Sequence, residues 1–331
     1  MLKNIIEKIK ESGLTGRSGS GFPVWQKWQA VKNPSTSSGQ TPTDKKYIVC
    51  NGSEGEPMVF KDGYILYHYP QEVIYGIKLA LKTIDNSDAY IYLNKDYYSR
   101  FYQTLKNLIG NLPITIFEKP NGYIAGEETT LLNVIEGKIA EPRIKPPYPT
   151  EVGLWGKPTL VNNVETFYWV GKIANDEYHG QRFYSVEGDV KNKDVVELLE
   201  NDTIKQILQK TDNIPPFSYF AQVGGGACGE IFLPEELERP IKGTGSIIVF
   251  NRETTNVLDL MKSWADFYVL QNCDKCTPCR EGLFRIKELL YQNNLDKKTL
   301  NDIFDVLQKT AFCPLGRLAA VPFKSAIAKL L

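Results

Sequence analysis

Four of the six cysteines have the spacing of a metal or cluster site. Cys273, Cys276 and Cys279 form a C-x2-C-x2-C run, and Cys313 follows further along the chain, directly before a proline. Four thiolates can bind zinc in a tetrahedral site or hold a 4Fe–4S cluster. Three ligands from one tight loop with one remote cysteine favour the cluster, because zinc sites more often use two separated pairs. A structural zinc site is the alternative.

Prolines beside these cysteines predict where two helices begin. Thr277 and Pro278 are expected to be the N-cap and first residue of one helix, and Cys313 the N-cap of another. The positive end of a helix dipole favours a thiolate over a thiol. The sequence therefore predicts lowered thiol pKa values at Cys279 and Cys313.

A glycine-rich segment near the N-terminus, GRSGSGFP at residues 16–23, could approach a ligand closely. Glycines bring the backbone near a ligand, and successive N–H groups can bind an anion. The segment is not a Walker loop, because no G-K-[ST] follows. It is not a Rossmann fingerprint either, because no strand is predicted before it. A plain turn is the alternative.

Acidic pairs recur in NGSEGEP (51–57) and GEET (126–129). Solvated surface charge is the alternative to a functional role for both pairs, and acids in a first helical turn also complement the helix dipole. The two histidines, at positions 68 and 179, lie in no motif. General-base catalysis by histidine is therefore not expected.

The elements that must position these residues alternate between helix and strand in the first half of the chain, which predicts an α/β sheet. Helices are expected at 1–12, 70–83 and 96–110, and strands from 47, at 89–94 and at 114–119. A loop enters a helix within 122–138, with Glu127 and Glu128 in its first turn and Gly137 at its C-terminal cap. Residues 141–159 should be irregular, and a helix capped by Asn162 or Asn163 should cover 161–174.

The second half divides into two further regions. Short strands, a helix at 194–209 and glycine-rich turns predict a small α+β domain, and residues 256–331 are mostly helical. We expect three domains, at 1–178, 179–255 and 256–331. The Ser- and Pro-rich stretch at 33–46 is interpreted as a flexible insertion without function.

Composition excludes several classes of protein. The 331 residues include 39 basic and 39 acidic ones, and this balance argues against a nucleic-acid-binding protein. No apolar run approaches the roughly 18 residues of a membrane span, and the N-terminus has no secretory signal. A disulfide framework is therefore not expected, and Cys50 and Cys228 are interpreted as buried thiols.

Six motifs in order resemble one family over the chain from about residue 10. They are GRSGSGFPVWQKW, CNGSEGEP-x3-KD, GYIAGEET-x-LLN-x-IEG, EPR-x-KPP-x-P, GKPT-x-VNNVET and C-x2-CTPCREG…CPLG. The chain resembles the NADH-binding, FMN- and 4Fe–4S-containing flavoprotein subunit of respiratory complex I, also used as the diaphorase subunit of NAD(P)-linked hydrogenases and formate dehydrogenases. The resemblance implies a Rossmann-like FMN/NADH domain, a small ubiquitin-like (SLBB) α+β domain and a C-terminal helical bundle with the cluster.

The resemblance also assigns roles to matching positions. A flavin and nucleotide loop would comprise Gly16, Arg17, Gly19, Gly21, Phe22 and Lys27. FMN would lie near Asn51, Ser53 and Glu54, in a site lined by Tyr123, Gly126, Glu127 and Glu128, with its phosphate held by Val161, Asn162, Asn163 and Thr166. The dinucleotide would contact Phe22, Glu56, Glu128, Lys145 and Tyr148, and Glu128, near the nicotinamide, would be the catalytic residue. Cys273, Cys276, Cys279 and Cys313 would bind the cluster.

The chain departs from the family pattern at several positions. Ser53 stands where members usually have aspartate, Ala30 where they have an aromatic residue and Ala125 where they have cysteine. Ser18 and Ser20 replace smaller residues, and GGGACGEIF replaces a GGPSGG-like turn. These changes leave the cysteines and the VNNVET segment intact, so they bear on flavin potential and nicotinamide affinity more than on cluster binding.

The implied activity is NADH dehydrogenation: hydride transfer between NADH and FMN, then single-electron transfer through the 4Fe–4S cluster. A 2Fe–2S thioredoxin-like subunit and further iron–sulfur subunits are the implied partners, with no membrane span in this chain. The implied location is the cytoplasm, or the cytoplasmic face of a membrane through the partner complex. Two alternatives stay open: an FMN-deficient assembly subunit that retains the cluster, and a zinc-stabilised binding module.

Overall fold

The structure, a computed structural model, describes residues 4–34, 43–292 and 295–331. The chain forms two compact units. The first comprises residues 4–34 and 43–55, Phe60–Asn121 and Ala125–Phe183, and the second comprises Glu56–Val59, Gly122–Ile124 and Tyr184–Leu331. Of the predicted insertion at 33–46, residues 35–42 lie outside the described residues, and Lys46 already begins the first strand.

Strands and helices alternate along the first unit. In chain order they are α1 (Ile5–Ser12), α2 (Val24–Lys32), β1 (Lys46–Gly52), α3 (Lys61–His68), α4 (Pro70–Thr83), β2 (Ser87–Leu93), α5 (Lys95–Ile109), β3 (Ile114–Glu118), α6 (Glu128–Ile135), β4 (Thr159–Asn163) and α7 (Val164–Ala174). The strands form one sheet in the order β3-β2-β1-β4, and every neighbouring pair is parallel. The predicted α/β sheet is confirmed.

The sheet and its helices bury a continuous apolar core. β1 carries Ile48, Val49 and Cys50, none of which is exposed to solvent. Such a continuous apolar run is typical of a parallel strand that helices cover on both faces of the sheet. Helices α4 and α7 pack so closely that a Cβ atom added at Gly76 would lie 2.0 Å from the carbonyl oxygen of Phe167. Glycine at position 76 is therefore required by this helix contact.

The predicted helix over 161–174 is wrong at its start. Residues Thr159–Asn163 form β4, which pairs with β1 from Tyr47 beside Thr159 to Asn51 beside Asn163. The helix α7 begins at Val164, and Asn163 is its N-cap, with its side chain accepting a hydrogen bond from the Glu165 N–H. The segment is a strand because β1 supplies its backbone hydrogen-bond partners, and these partners cannot be identified from the segment's own sequence.

The second unit contains a mixed five-stranded sheet and a group of helices. Its elements are β5 (Gln181–Gly188), β6 (Asp194–Leu199), α8 (Ile204–Lys210), β7 (Tyr219–Val223), β8 (Glu230–Phe232), β9 (Ser246–Asn251), α9 (Val257–Gln271), α10 (Thr277–Tyr291), α11 (Lys297–Thr310), α12 (Pro314–Leu318) and α13 (Ala320–Lys329). The strand order is β6-β5-β9-β7-β8, with β9 parallel to β5 and antiparallel to β7. The mostly helical C-terminal region is confirmed.

The helix predicted at 194–209 is replaced by β6 and the shorter α8. The reason is visible in the local signals: Thr203 and Gln206 form a reciprocal capping box that starts α8 only at Ile204. Before it, the exposed and buried residues of β6 alternate as they do on a strand with one buried face. No helix among the described residues has both the length and the apolar character needed to span a membrane.

Candidate functional site

The carboxyl ends of four parallel strands meet at one edge of the first unit's sheet. Open α/β sheets bind ligands at such an edge, because the loops that follow the strands converge there. The segment after β1, the start of α7 after β4 and the N-terminus of α6 carry most of the residues predicted to form the flavin site.

The segment after β1 is locked to the loop before α6. Asn51 donates through Nδ2 to the Gly126 carbonyl oxygen at 3.0 Å, and Ser53 donates through Oγ to Asn51 Oδ1 at 2.6 Å. A Cβ atom added at Gly126 would lie 2.4 Å from Ser53 Oγ. Residues 51, 53 and 126, three predicted flavin-site positions, are thus in direct contact, and a side chain at position 126 would displace the Ser53 hydroxyl.

A buried cluster of charges lies behind this segment. Lys61, 2% exposed, donates through Nζ to Asp62 Oδ1 at 2.6 Å and pairs with Glu165 Oε2 at 3.1 Å. Asn163, the N-cap of α7, donates to the other Asp62 oxygen. Burial alone would raise the pKa of Glu165, but the charges of Lys61 and two arginines hold it below its ordinary value. No role was predicted for Lys61, Asp62 or Glu165, although Lys61 and Asp62 are the KD pair of the second motif and Glu165 lies in the VNNVET segment.

Glu54 carries a proton more readily than an ordinary glutamate. Its carboxyl accepts hydrogen bonds from the Asp62 N–H at 3.0 Å and the Tyr97 hydroxyl at 2.7 Å. Burial, together with the neighbouring Asp62 carboxyl, raises the pKa of Glu54 to about 8. The two carboxyls face one buried lysine, so the pair holds less than two full negative charges near neutral pH.

The glycine-rich loop lies against the first turn of α7. The Arg17 N–H donates to Thr166 Oγ1 at 3.2 Å, and the Arg17 guanidinium, almost completely buried, donates to the Tyr178 hydroxyl at 2.8 Å. Gly21 has a φ of +59°, and a Cβ atom there would meet nothing within 4 Å. The Arg17 bond places this loop beside the N-terminus of an eleven-residue helix, and the space around Gly21 is open. A nucleotide phosphate fits these groups, because helix N-termini and glycine-rich backbones both bind anions.

The remaining residues predicted for the loop, the phosphate and the dinucleotide differ in how accessible their side chains are. Gly16 and Gly19 belong to the same loop, where the Gly16 N–H donates to the Phe22 carbonyl at 2.9 Å. Val161 and Asn162 lie on β4, and both are more than nine-tenths buried. Phe22 and Tyr148 are exposed by 44% and 54%. Their rings are thus accessible to a ligand, whereas Val161 and Asn162 present little beyond backbone.

Two acids and two lysines meet at the start of α6. Glu127 is the N-cap, not a first-turn residue, and its carboxylate accepts from the Thr129 and Thr130 N–H groups. Lys27 pairs with Glu128 Oε1 at 2.5 Å, and Lys145 lies 3.2 Å from Glu127 Oε1 and 3.5 Å from Glu128 Oε2. Burial opposes the charge of Glu128, but Lys27 and Lys145 outweigh it and lower the pKa of Glu128. Four predicted site residues are thus joined in one cluster of ion pairs.

Glu56 and Tyr123, predicted for the nucleotide and flavin, belong to the second unit. Glu56 Oε1 accepts from the N–H groups of Ala227 and Cys228 at 2.8 and 2.9 Å, and the Tyr123 hydroxyl donates to Glu56 Oε2 at 2.6 Å. Gly225 allows this approach, since a Cβ atom there would lie 2.4 Å from Glu56 Oε1. The anchoring of Glu56 by the turn VGGGACGE (223–230) was not predicted, although the run of glycines signalled a close approach.

The four cysteines of the predicted cluster site lie in the helical part of the second unit. Cys276, Cys279 and Cys313 are 6%, 3% and 5% exposed, and Cys273 is half-buried. Cys276 is the N-cap of α10, one residue before the predicted cap, and Cys313 is the N-cap of α12 as predicted. All six cysteines are described, and none of them forms a disulfide.

The surroundings of Cys279 fit a thiolate-bound group. A Cβ atom added at Gly316 would lie 2.4 Å from Cys279 Sγ, so the start of α12 leaves space for sulfur only because residue 316 is glycine. The expectation of a lowered pKa at Cys279 is wrong for the protein without metal: burial and the three other cysteines raise the pKa of its thiol. Within residues 4–34, 43–292 and 295–331, no three His, Cys, Asp or Glu side chains are grouped closely enough to hold a single metal ion. The sulfur ligands fit iron chemistry, since thiolates hold 4Fe–4S clusters.

Comparison with known proteins identifies two matching regions. Residues 9–172 match the model of the Nuo51 FMN-binding domain, and residues 259–330 match that of the NADH-ubiquinone oxidoreductase-F iron-sulfur binding region. The F subunit of NADH-quinone oxidoreductase from Aquifex aeolicus is 33% identical over 358 residues, which cover 96% of this chain and 82% of that protein. Its counterpart from Streptomyces coelicolor is 32% identical, with 98% and 80% covered.

A solved structure shares the fold. A chain of the NAD+-reducing [NiFe]-hydrogenase in the H2-reduced state superposes with a TM-score of 0.87 at 27% identity, covering 98% of this chain and 61% of that one. The present chain thus spans about three-fifths of the hydrogenase chain that it matches. The same superposition is found with the air-oxidised state, at a TM-score of 0.88.

Proposed function

Because the chain belongs to the family of NADH-quinone oxidoreductase F subunits, we propose that it oxidises NADH and passes the electrons one at a time to a partner protein. Membership confirms the prediction of an NADH dehydrogenase with an FMN-binding region and a 4Fe–4S-binding region. FMN, when bound, supplies two-electron chemistry with NADH and one-electron chemistry with the cluster. The chain's own residues bind and orient these groups.

The observation that carries the proposal is the glycine-rich loop held against the start of α7, which we propose as the phosphate site. The Arg17 N–H bond to Thr166 holds the glycine-rich loop against the amide end of this helix. Buried hydrogen bonds from Asn163 and Lys61 to Asp62 hold the N-cap of the helix in place. A phosphate bound here would be oriented without rearrangement, because its donors are backbone groups already held in place.

The proposed assignment of the other residues follows the same edge of the sheet. Asn51, Ser53 and Gly126, in mutual contact, would face the flavin. Glu127 and Glu128 would line the flavin site. Lys27, Glu128 and Lys145 would orient the dinucleotide with the exposed rings of Phe22 and Tyr148. By the family resemblance, Glu56 is proposed as a dinucleotide contact and Tyr123 as a flavin contact, and the four cysteines would bind the cluster.

The chain is also proposed to work inside a larger complex. One 4Fe–4S cluster carries one electron at a time, so a partner must accept each electron before the next can pass. A 2Fe–2S thioredoxin-like subunit and further iron–sulfur subunits are the proposed neighbours, in a complex at the cytoplasmic face of a membrane or in a cytoplasmic hydrogenase-type complex. The mixed sheet of β5–β9 is proposed to be an SLBB domain, with domain limits at 179–255.

The test is a visible spectrum and metal analysis of anaerobically purified protein. We expect flavin bands after FMN reconstitution, iron and sulfide in a ratio of a 4Fe–4S cluster, and bleaching of the flavin by NADH. Absence of flavin with iron retained would favour the assembly subunit. Zinc in place of iron would favour the binding module.

Glu128→Gln should change the preference between NADH and NADPH. The variant keeps the side-chain size but removes a charge that would repel the additional phosphate of NADPH. Glu128 is partly exposed, so about 1 kcal/mol is expected, which is about a fivefold gain in NADPH affinity relative to NADH. Equilibrium titration of the holoenzyme measures both affinities, and FMN content should change less.

The control is Glu177→Gln, which removes a carboxylate that pairs with Lys172 at 2.8 Å on the surface of the same unit. It should alter neither nucleotide affinity. Loss of FMN from Glu128→Gln, with normal nucleotide preference in the remaining holoenzyme, would contradict the proposed role.

Ser53→Asp should lower the midpoint potential of the flavin. Reduction adds negative charge to the flavin, which a nearby carboxylate opposes. For a charge about 5 Å away at an effective dielectric constant of about 20, the upper limit is about 3 kcal/mol, or about 60 mV for two electrons. Redox titration should therefore show a fall of tens of millivolts relative to the wild type.

Ser53→Asn is the matched control, because it adds similar volume beside Gly126 without a charge. Both variants disturb the bond from Ser53 to Asn51, so only the difference between them reports the charge. Equal midpoints in the two variants, with FMN bound, would show that position 53 does not affect the flavin's charge.

A further inference from the structure

Lys119 is a buried lysine at the ligand-binding edge of the parallel sheet. It directly follows β3, and its N–H donates to the carbonyl oxygen of Leu93, the last residue of β2, at 2.7 Å. Only 7% of the residue is exposed. This bond holds Lys119 beside the carboxyl ends of β2 and β3.

The ammonium of Lys119 has no counter-ion in the described parts of the chain. No carboxylate pairs with it there, and burial, with no charge to offset it, lowers the pKa of Lys119 to about 8. Lys61 shows the contrast: it is even more buried, but two carboxylates contact it and raise its pKa. The residue is nine-tenths buried, so its ammonium is partly desolvated, and an anion that supplied a partner would be bound favourably.

The position of Lys119 is suited to reach a ligand at this edge. β3 and β1 are two strands apart in the sheet, which corresponds to about 10 Å at a spacing of about 4.8 Å. Asn94, at the end of β2 between them, donates through Nδ2 to the Glu54 carbonyl at 2.9 Å. The segment that contains Ser53 and Glu54 and the residue Lys119 therefore border the same stretch of the edge. A lysine side chain and a nucleotide can together span that distance.

We propose that Lys119 binds an anionic group of a nucleotide held at this edge. The group is either a phosphate of the nicotinamide dinucleotide or the negative charge of the reduced flavin, and a charge-assisted hydrogen bond from an ammonium serves both. The inference rests on the proposed function, since it requires a nucleotide at the carboxyl edge. It adds a residue that none of the six sequence motifs contains.

The experiment compares the holoenzymes of Lys119→Gln, Lys119→Arg and the wild type. NAD+ affinity is measured by equilibrium titration, and the FMN midpoint by redox titration. A lost charge-assisted bond should weaken NAD+ binding about tenfold or more in Lys119→Gln if the partner is a dinucleotide phosphate. If the partner is the flavin, NAD+ affinity should be retained, and a tenfold change in the two-electron equilibrium would lower the midpoint by about 30 mV. Lys119→Arg keeps the positive charge, so it should retain most of the wild-type NAD+ affinity and FMN midpoint.

Lys106→Gln is the matched control. Lys106 is exposed in the last turn of α5, a helix that begins after the carboxyl end of β2 and leads back to the opposite edge of the sheet. Lys106→Gln should change neither the NAD+ affinity nor the FMN midpoint. Unchanged affinity and midpoint in Lys119→Gln would overturn the proposal and leave Lys119 as a lysine with a buried stem and a solvated head.

A second measurement on the wild type covers the case in which Lys119→Gln does not fold. Acylation of lysines is followed by mass spectrometry with and without saturating NAD+, and in oxidised and reduced holoenzyme. Protection of Lys119 by NAD+ or by reduction supports the proposal and identifies the source of the anion. Equal labelling in all states contradicts it. Failure of the wild type to retain FMN would instead reject the proposed function, which the visible spectrum shows separately.

Discussion

Cys313→Ala is expected to lose the iron–sulfur cluster while the first unit stays folded. The variant removes one of four proposed thiolate ligands, and clusters of this type are held by the full set of four. Cys313 lies in the second unit, whereas the parallel sheet and the proposed flavin residues after β1 and β4 lie in the first. The loss should therefore be confined to the cluster, with FMN content retained.

Iron content, the EPR signal of the reduced protein and two activities measure this outcome. NADH oxidation with an artificial two-electron acceptor should persist, because it needs only the flavin. Transfer to the physiological partner should be abolished. Full iron content with an unchanged EPR signal would show that Cys313 is not a ligand, and equal loss of both activities with FMN bound would contradict the proposed electron path.

Cys50→Ala is the matched control for the chemical change. Cys50 is a completely buried thiol on β1, in the other unit. Its replacement removes one sulfur atom from an apolar core and leaves the four proposed ligands unchanged. Iron content should equal that of the wild type, with a moderate loss of stability from the small cavity.

Lys61→Met should destabilise the first unit by about 3–5 kcal/mol. The substitution keeps a long apolar stem but removes the cation that pairs with Asp62 and Glu165, and an uncompensated buried charge costs about this much. The affected carboxylates adjoin the N-cap of α7, so FMN affinity should fall as well. Urea unfolding followed by tryptophan fluorescence measures the change.

The pH dependence of this deficit follows from the pKa shifts. The pKa of Glu165 is lowered in the folded protein, so its contribution is fully present above the unfolded value of about 4.5 and is lost as pH falls through the folded value. The pKa of Lys61 is raised, so its contribution is present below about 10.5 and is lost as pH rises through the folded value. The deficit of Lys61→Met should therefore shrink as pH falls, because protonation of the neighbouring carboxyls, beginning with Glu54 near pH 8, removes the negative charge left without a partner.

Lys78→Met is the control for the lysine-to-methionine change. Lys78 is exposed on α4 in the same unit, and its replacement should alter the free energy of unfolding by no more than about 0.5 kcal/mol. A change in Lys61→Met of similar size to the control would show that the buried cluster does not contribute as proposed.

Local patterns in the sequence were sufficient for most elements of the first unit. The predicted helix at 70–83 coincides with α4, and the strands at 89–94 and 114–119 lie within one or two residues of β2 and β3. Periodicity and caps act over a few residues, so the sequence alone carries them. The cysteine spacing and the proline after Cys313 similarly predicted a thiolate site and a helix start.

Tertiary contacts decided the points at which the sequence misled. Residues 161–163 are a strand because β1 provides the hydrogen-bonding partner, and 194–199 are a strand because β5 does. The pairing of 161–163 with β1 spans more than a hundred residues, whereas β5 and β6 are consecutive strands. A pattern read over ten residues cannot contain such a pairing.

The charge state of the site was also decided only by the tertiary structure. The sequence identified Glu54 and Glu128 as similar acids, yet the fold buries Glu54 beside Asp62 and surrounds Glu128 with Lys27 and Lys145, so their pKa values move in opposite directions. Residue types and motif order determined the family and the cofactors of this protein. Burial and counter-ions, which depend on distant segments meeting at one sheet edge, determined which charges its site holds.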